Sequence, residues 1–273
     1  MSSLIKPPEE SGRRPAAGSY RYLDLVMAAF VAILIISNVA SSAKIVDLGF
    51  SLFGVLGIPP LPLAFDGGTL LFPLSYVFAD ILTEVYGFRA GRRVIWTGFA
   101  ALALTGGVFF LLRALPGNAE WEGYAGSGAY DAILGGISSG GIALASLLGY
   151  WTGEFSNSVI LSRMKVLMGG RRLWMRTIGS TLVGEFLDSL VFVLVASLTG
   201  VFAWELFFSL VFTNYILKCL IEVLMTPATY LTVRALKRGE GVDIYDRGER
   251  YNPFLFGAGA DRSPGSRSLP NRG

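Results

Sequence analysis

The chain has 273 residues, 52% of them hydrophobic and 16% charged, with a mean hydropathy of +0.54; an ordinary soluble domain carries about 25% charged residues. This excludes a soluble enzyme, a secreted disulfide scaffold and a disordered chain. The absence of histidine removes Ser-His and Cys-His catalysis and His-ligated zinc or haem, and the single Cys219 permits no internal disulfide.

In chain order, residues 1–20 are polar and Gly/Pro-containing and are predicted to form a mobile tail. Six apolar stretches follow, near 22–43, 69–86, 94–115, 130–160, 173–199 and 203–233, each about 18 residues or longer and so able to span a bilayer. The fold expected is an all-α polytopic membrane protein. Between the first two spans, an apolar stretch is broken by Gly57, Pro59, Pro60 and Pro62. Such a cluster cannot continue a lipid-facing helix, so it reads as a re-entrant or interfacial hairpin. The expected domains are a cytoplasmic tail (1–20), a six-helix transport domain (21–235) and a second mobile cytoplasmic tail (236–273).

The basic residues mark the sides. Four precede the first span, three lie between the second and third, five between the fourth and fifth, and eight follow the sixth: twenty of the 23 Lys and Arg on alternate loops. By the positive-inside rule both termini are cytoplasmic. A competing reading takes Arg13, Arg14 and Arg21, the first apolar run and "VASSAK" as a cleaved secretory signal. It would leave five spans and break this alternation.

The informative residues are ionisable ones inside the spans, each costing about 2.5–3.5 kcal/mol at a helix centre unless partnered or hydrated. The second span carries Asp80 and Glu84, four apart on one face. The fourth carries Glu154 and Asn157, the fifth Glu185 and Asp188, the sixth Asn214, Lys218 and Glu222. At 1.5 Å per residue, Glu185 and Asp188 lie roughly 14 and 18 Å in from Arg176, near the midplane. Six acids and one base from four helices at overlapping depth point to a shared polar cavity. Lys218 has Asp188 or Glu222 as candidate partners, and loop residues Arg163 and Arg176 are candidates for others.

Two patterns accompany these charges. "GEFSNS" at 153–158 recurs as "GEFLDS" at 184–189, on spans of opposite direction. Inverted elements of this kind suit a transporter, and Gly153 and Gly184 also suit plain close packing of helices. Phe72, Tyr76 and Asp80 form a stripe at four-residue spacing, suited to a planar heterocycle that stacks on rings and donates N–H groups to acids. Trp96, Trp121, Trp151, Trp174 and Trp204 sit near span ends, as belt anchors do.

The segments "ISNVASSAK" (36–44), "FDGGTLLFPLSYVFADILTEVYGFRAGRRVIWTGF" (65–99), "GEFSNSVILSRMK" (153–165) and "RTIGSTLVGEFLDSLVF" (176–192) resemble the queuosine precursor transporter family, also described as the vitamin uptake transporter or domain-of-unknown-function 165 family. The resemblance runs from about residue 36 to 231. It implies a multi-pass importer in the bacterial inner membrane for 7-cyano-7-deazaguanine, and for 7-aminomethyl-7-deazaguanine as a further substrate, feeding salvage of the tRNA nucleoside queuosine. The family's motif residues fall on Asn38, Asp80, Glu84, Glu154, Asn157, Glu185, Asp188, Lys218 and Glu222. Glu185 or Asp188 is expected to accept the base's N–H groups, Asn38, Asn157 or Asn214 to read its carbonyl, and Phe72 or Tyr76 to stack. No cofactor, metal or direct nucleic-acid partner is expected; the partners are the deazaguanine, the bilayer and, compatibly with the limited surface six helices bury, a second copy of the chain.

The main alternative is the substrate-binding subunit of an energy-coupling factor importer driven by separate ATPases, since this chain has no G-x-x-x-x-G-K-[ST] loop. An intramembrane enzyme is a weaker one: "FDGG" lacks the Ala-Arg pair and spaced acids of lipid-headgroup transferases, and the G-x-G-D of membrane aspartyl proteases is absent. A purely structural protein would leave the interior acids unexplained.

Overall fold

A computed structural model describes residues 20–52, 61–138 and 140–255. The elements are α1 (Leu23–Ala43), strands β1 (Ile45–Leu52) and β2 (Leu61–Asp66), a 3-10 turn (Gly67–Leu70), α2 (Phe72–Ala114), α3 (Ala119–Tyr124), α4 (Gly126–Ser138), α5 (Gly140–Leu167), α6 (Leu173–Leu198) and α7 (Phe207–Glu240).

The interior combines an apolar core around Phe30, Leu34 and Phe88 with many buried polar groups, and much of the outer surface is apolar. Glu154, Glu185 and Asp80 are fully buried, whereas Leu104, Phe110, Phe208, Leu224 and Leu231 are exposed. In water that distribution would be costly; it suits a protein whose surroundings are hydrocarbon and whose polar groups satisfy one another within. Five helical stretches are long and apolar enough to cross a membrane: Leu23–Ala43, Phe72–Ala114, Gly126–Leu167, Leu173–Leu198 and Trp204–Glu240. The chain is therefore a mainly helical, multi-pass membrane protein.

The second and third expected spans are the two arms of α2. Gly87 interrupts the helix at φ 81°, ψ 168°, a region open essentially to glycine alone. A methyl on Gly91 would fall 2.8 Å from Thr83 Oγ1, although eight residues of straight helix span about 12 Å. The arms therefore fold back on each other. The fourth expected span corresponds to α4 and α5 on either side of residue 139, and the sixth continues seven residues further than expected, to Glu240.

Between α1 and α2 the chain pairs as antiparallel strands, Ile45 opposite Asp66 and Leu52 opposite Leu61. Of the Gly and Pro residues expected there, Pro62 sits in β2 opposite Ser51; Gly57, Pro59 and Pro60 lie outside the described residues.

Hydrogen bonds identify the two ends of the bundle. The backbone N–H groups of Arg21 and Tyr22 and the Tyr86 hydroxyl all donate to the Glu240 carboxylate, at 2.9, 2.7 and 2.9 Å. The start of α1, the bend of α2 and the end of α7 thus share one end, which also holds Arg89, Lys165, Arg176 and Lys237. Ser41, Asp66 and Ser42 meet at the other, where the Ser42 hydroxyl accepts from Ile137 N at 3.0 Å.

The stretch after Glu240, expected as a mobile tail, is bonded to the bundle as far as Leu255. Asp246 accepts from Phe88 N at 2.8 Å and from the Ser162 hydroxyl at 2.7 Å. Arg89 pairs with Glu249 at 2.8 Å. Trp96 Nε1 donates to Pro253 O at 2.8 Å, and Phe254 packs 5.8 Å from Trp96 and 5.7 Å from Trp151. Those two tryptophans, expected as belt anchors, hold this segment. Polar composition suggested mobility; long-range partners on α2 and α5 supply the order. Residues 1–19 and 256–273 lie outside the described part.

Candidate functional site

The α5–α6 crossing is built by the sequence repeat. A methyl on Gly153 would fall 2.7 Å from Asp188 Cβ and 3.0 Å from Gly184 O; one on Gly184 would fall 2.8 Å from Asn157 Cβ and 3.1 Å from Gly153 O. Each glycine thus faces the residue four positions past its counterpart, Asn157 or Asp188. The two hexapeptides cross with local two-fold character, close enough that only hydrogen fits. The Tyr76 ring wedges against the same crossing from α2, its Cε1 2.9 Å from the Gly184 methyl position. This crossing fixes Glu154, Asn157, Glu185 and Asp188 relative to one another.

On one side of the crossing lies a cleft of about 30 Å3, room for one or two water molecules. Its wall comprises Asn38 and Ser41 of α1, Asp66 and Thr69 of the hairpin's return, Phe72 of α2, Ser146 of α5, Asp188 and Phe192 of α6, and Asn214 and Lys218 of α7. Lys218 is the central group. Its ammonium donates to Asp188 Oδ2, lies 3.3 Å from Glu185 Oε2 and stands 4.2 Å over the centroid of the Phe72 ring, a cation–π contact. Asp66 caps the 3-10 turn. It accepts from Gly68 N at 3.0 Å, from the Thr69 hydroxyl at 2.9 Å and from the Ser41 hydroxyl, and Thr69 in turn lies 3.4 Å from Asn214 Oδ1. Asn38 donates to Leu34 O of its own helix at 2.9 Å.

Deeper groups lie off the cleft. Asp80 accepts from Asn157 Nδ2 at 2.7 Å, and the Ser75 hydroxyl lies 3.3 Å from Glu154 Oε1. Both oxygens of Glu222 and the hydroxyl of Tyr76 are buried with no hydrogen-bond partner among the described residues.

Glu84 belongs to a third environment at the basic end. It stands 2.9 Å from Arg176 Nη2, 2.6 Å from Lys237 and 3.6 Å from Lys165. Lys165 and Lys237 also reach Asp243, at 2.6 and 2.8 Å. Burial works against the charge of Asp243, but Lys165 and Lys237 outweigh it and hold the carboxyl below its ordinary value. Four membrane helices and the C-terminal segment are tied together at this point.

Of the twelve residues singled out from sequence, the structure gathers Asn38, Phe72, Asp188, Asn214 and Lys218 at the cleft. Tyr76, Asp80, Glu154, Asn157, Glu185 and Glu222 form a buried layer beyond it, and Glu84 stands apart. Arg176 is a partner of Glu84 as anticipated, whereas Arg163 packs over the Tyr251 ring at 4.9 Å. Sequence reasoning missed Ser41, Asp66, Thr69, Ser146 and Phe192. Asp66 carried a signal: an acid followed by two glycines and a threonine is a capped-turn pattern. No group of three or more Cys, Asp or Glu suited to a metal ion occurs among the described residues.

An apolar-surfaced helical bundle enclosing a small polar cleft with a lysine–carboxylate centre is the build of a membrane solute carrier. The family described as "Putative vitamin uptake transporter" matches residues 66–232, and the chain belongs to that family. A "Probable queuosine precursor transporter" of Bacillus subtilis (strain 168) is 25% identical over 175 residues, 63% of this chain and 73% of that protein. The "Queuosine precursor transporter" of Escherichia coli (strain K12) is 23% identical over 60% of this chain and 70% of its own length. A "Probable queuosine precursor transporter" of Haemophilus influenzae is 23% identical, over 60% and 66%. No solved structure matches significantly. The chain is a transporter and not an enzyme.

Proposed function

We propose that the chain imports a queuosine precursor of the 7-deazaguanine type, 7-cyano-7-deazaguanine or its 7-aminomethyl counterpart, across the bacterial inner membrane. In this reading the arms of α2 are separate crossings, which makes six and puts the basic end and both termini in the cytoplasm. The names of the three relatives support the substrate class. The observation that carries the reading is the Lys218–Asp188 pair in the wall of a cleft otherwise lined by amides, hydroxyls, the turn-capping Asp66 and the Phe72 and Phe192 rings.

A guanine-like edge offers a ring N–H and an exocyclic amine, which one carboxylate accepts together, and a carbonyl, which an ammonium or amide N–H satisfies. Asp188 is the acceptor, because it lines the cleft while Glu185 stands behind it. The amide N–H of Asn214, whose oxygen faces Thr69, takes the carbonyl, and the ring lies against Phe72. At about 30 Å3 the cleft is well below the roughly 300 Å3 of a small-molecule site, so binding requires the hairpin or α7 to move aside. The Glu84 cluster seals the cytoplasmic end, and transport exchanges which end is closed.

The test is uptake of labelled 7-cyano-7-deazaguanine into proteoliposomes containing this chain alone. Saturable uptake without any ATPase is expected, which also separates a self-sufficient carrier from an energy-coupling factor subunit. Asp188→Asn should slow it about 10–100-fold, the equivalent of a charge-assisted hydrogen bond of about 1.5–3 kcal/mol. A wild-type rate in that variant, or no transport of either base, refutes the assignment.

A further inference from the structure

Five carboxyl groups, Asp80, Glu154, Glu185, Asp188 and Glu222, are at most 3% exposed and converge from four helices. One ammonium reaches them, Lys218, and it is engaged by Asp188 and Glu185. Asp80, Glu154 and Glu222 have no cation within ion-pair distance among the described residues. Asp80 and Glu154 each keep one neutral neighbour, Asn157 and Ser75. Glu222 has only the Thr181 hydroxyl of α6 beside it, outside good hydrogen-bond geometry.

A second kind of group is left open in the same layer. The Tyr76 hydroxyl is fully buried and unpartnered, and Glu154, Glu185 and Asp188 are the carboxylates around it. The layer is thus a hydrogen-bonding space with open valences on both acids and a hydroxyl. Five ionised carboxylates against one ammonium would leave four uncompensated charges in it. Each uncompensated charge costs several kcal/mol away from water. A bound proton removes that cost; an exclusively structural role for Glu222 does not.

We propose that Glu222 is the proton-binding site of a substrate–proton symporter, one proton entering with each molecule of substrate. Glu222 lies four residues beyond Lys218 on α7, hence one turn closer to the cytoplasm on the same face. Facing it are Asp80 from α2, Glu154 from α5 and Glu185 and Thr181 from α6, with Lys218 and Cys219 on its own helix. In the conformer described here Lys218 is held by Asp188 and Glu185, and Glu222 carries the proton. When a base occupies Asp188, the ammonium is released from that carboxylate and pairs with Glu222 one turn away. The proton then leaves Glu222 on the cytoplasmic side. The direction follows: acid outside drives uptake.

This inference rests on the import reading, and two measurements keep the two apart. In proteoliposomes, a one-unit pH gradient, acid outside, is expected to give about tenfold accumulation of labelled 7-cyano-7-deazaguanine, abolished by a protonophore and lost in Glu222→Gln. Accumulation indifferent to the gradient overturns the coupling while leaving import intact. The second measurement needs no substrate: infrared spectra of the purified chain at pH 7 should contain protonated-carboxyl carbonyl absorption, of which Glu222→Gln removes one component. A spectrum identical in wild type and variant overturns the site, even where no deazaguanine is transported and the import reading itself has failed.

Discussion

Replacing Glu84 by Gln removes the carboxylate that holds three cations at the basic end of the bundle. Lys165 and Lys237 keep Asp243, and Lys165 also keeps the Glu84 and Ile244 carbonyls at 2.5 and 2.7 Å. Arg176 does not fare as well: its side chain is 1% exposed, and its other hydrogen bond is to Arg171 O. Stranding one member of a buried pair costs about 3–5 kcal/mol, and the Gln carbonyl returns about 1 kcal/mol by accepting one bond. The net loss is about 2–4 kcal/mol, and at about 2–4 °C per kcal/mol for a domain of this size the melting temperature should fall on the order of 10 °C. Cys219 is the single thiol and is partly buried on α7, so a thiol-reactive dye reads the melt from one known position. Adding Arg176→Met to Glu84→Gln should recover much of the loss, because both charges are then gone. A melt of the single variant within about 1 °C of wild type would show that the cluster does not hold this end closed.

The bend of α2 is equally exposed to test. Gly87→Ala must place a side chain at φ 81°, and its methyl would lie 2.9 Å from both Asp246 Oδ1 and Ile244 Cγ2. The backbone strain alone costs about 1–3 kcal/mol. The dye melt should drop by several degrees and protease should gain access to residues 244–255; an unchanged melt with the segment still protected contradicts the bend. The seat of that segment should also depend on pH. Asp243 is held below its ordinary 3.8, so its contribution is present above that value and is lost as pH falls through the lower value of the folded state. Protection from hydrogen exchange over residues 242–255, taken relative to the intrinsic rate at each pH, should fall between pH 5 and pH 3 in wild type, and Asp243→Asn should be less protected already at pH 5 with the Asp243-dependent part of the fall gone. Identical profiles in the two proteins would remove Asp243 as the latch.

What the sequence made legible, and what it hid, divides along a physical line. Spacing of four residues on α2 puts Phe72, Tyr76, Asp80 and Glu84 on one face, and the structure keeps them there. But roughly 18 Å separates the first from the last, and the stripe passes through three environments: the cleft, the buried layer and the basic cluster. A helical period fixes azimuth and depth within one helix; it carries no information about which neighbour stands opposite. That is why Glu84 reads as one more cavity acid until Arg176, Lys165 and Lys237 are seen around it. The repeat at 153–158 and 184–189 went further, because each copy's glycine predicts some close neighbour; the structure supplies its identity, the other copy. The C-terminal segment marks the opposite extreme. Composition reports whether a stretch can build its own core, not whether Asp246 will find Phe88 N, or Phe254 the Trp96–Trp151 pair. The Asp246 contact sits at the bend next to Gly87, where a break in the helix leaves N–H groups without i−4 carbonyls. A buried, unsatisfied donor calls for an acceptor from somewhere, and the polar tail supplies it.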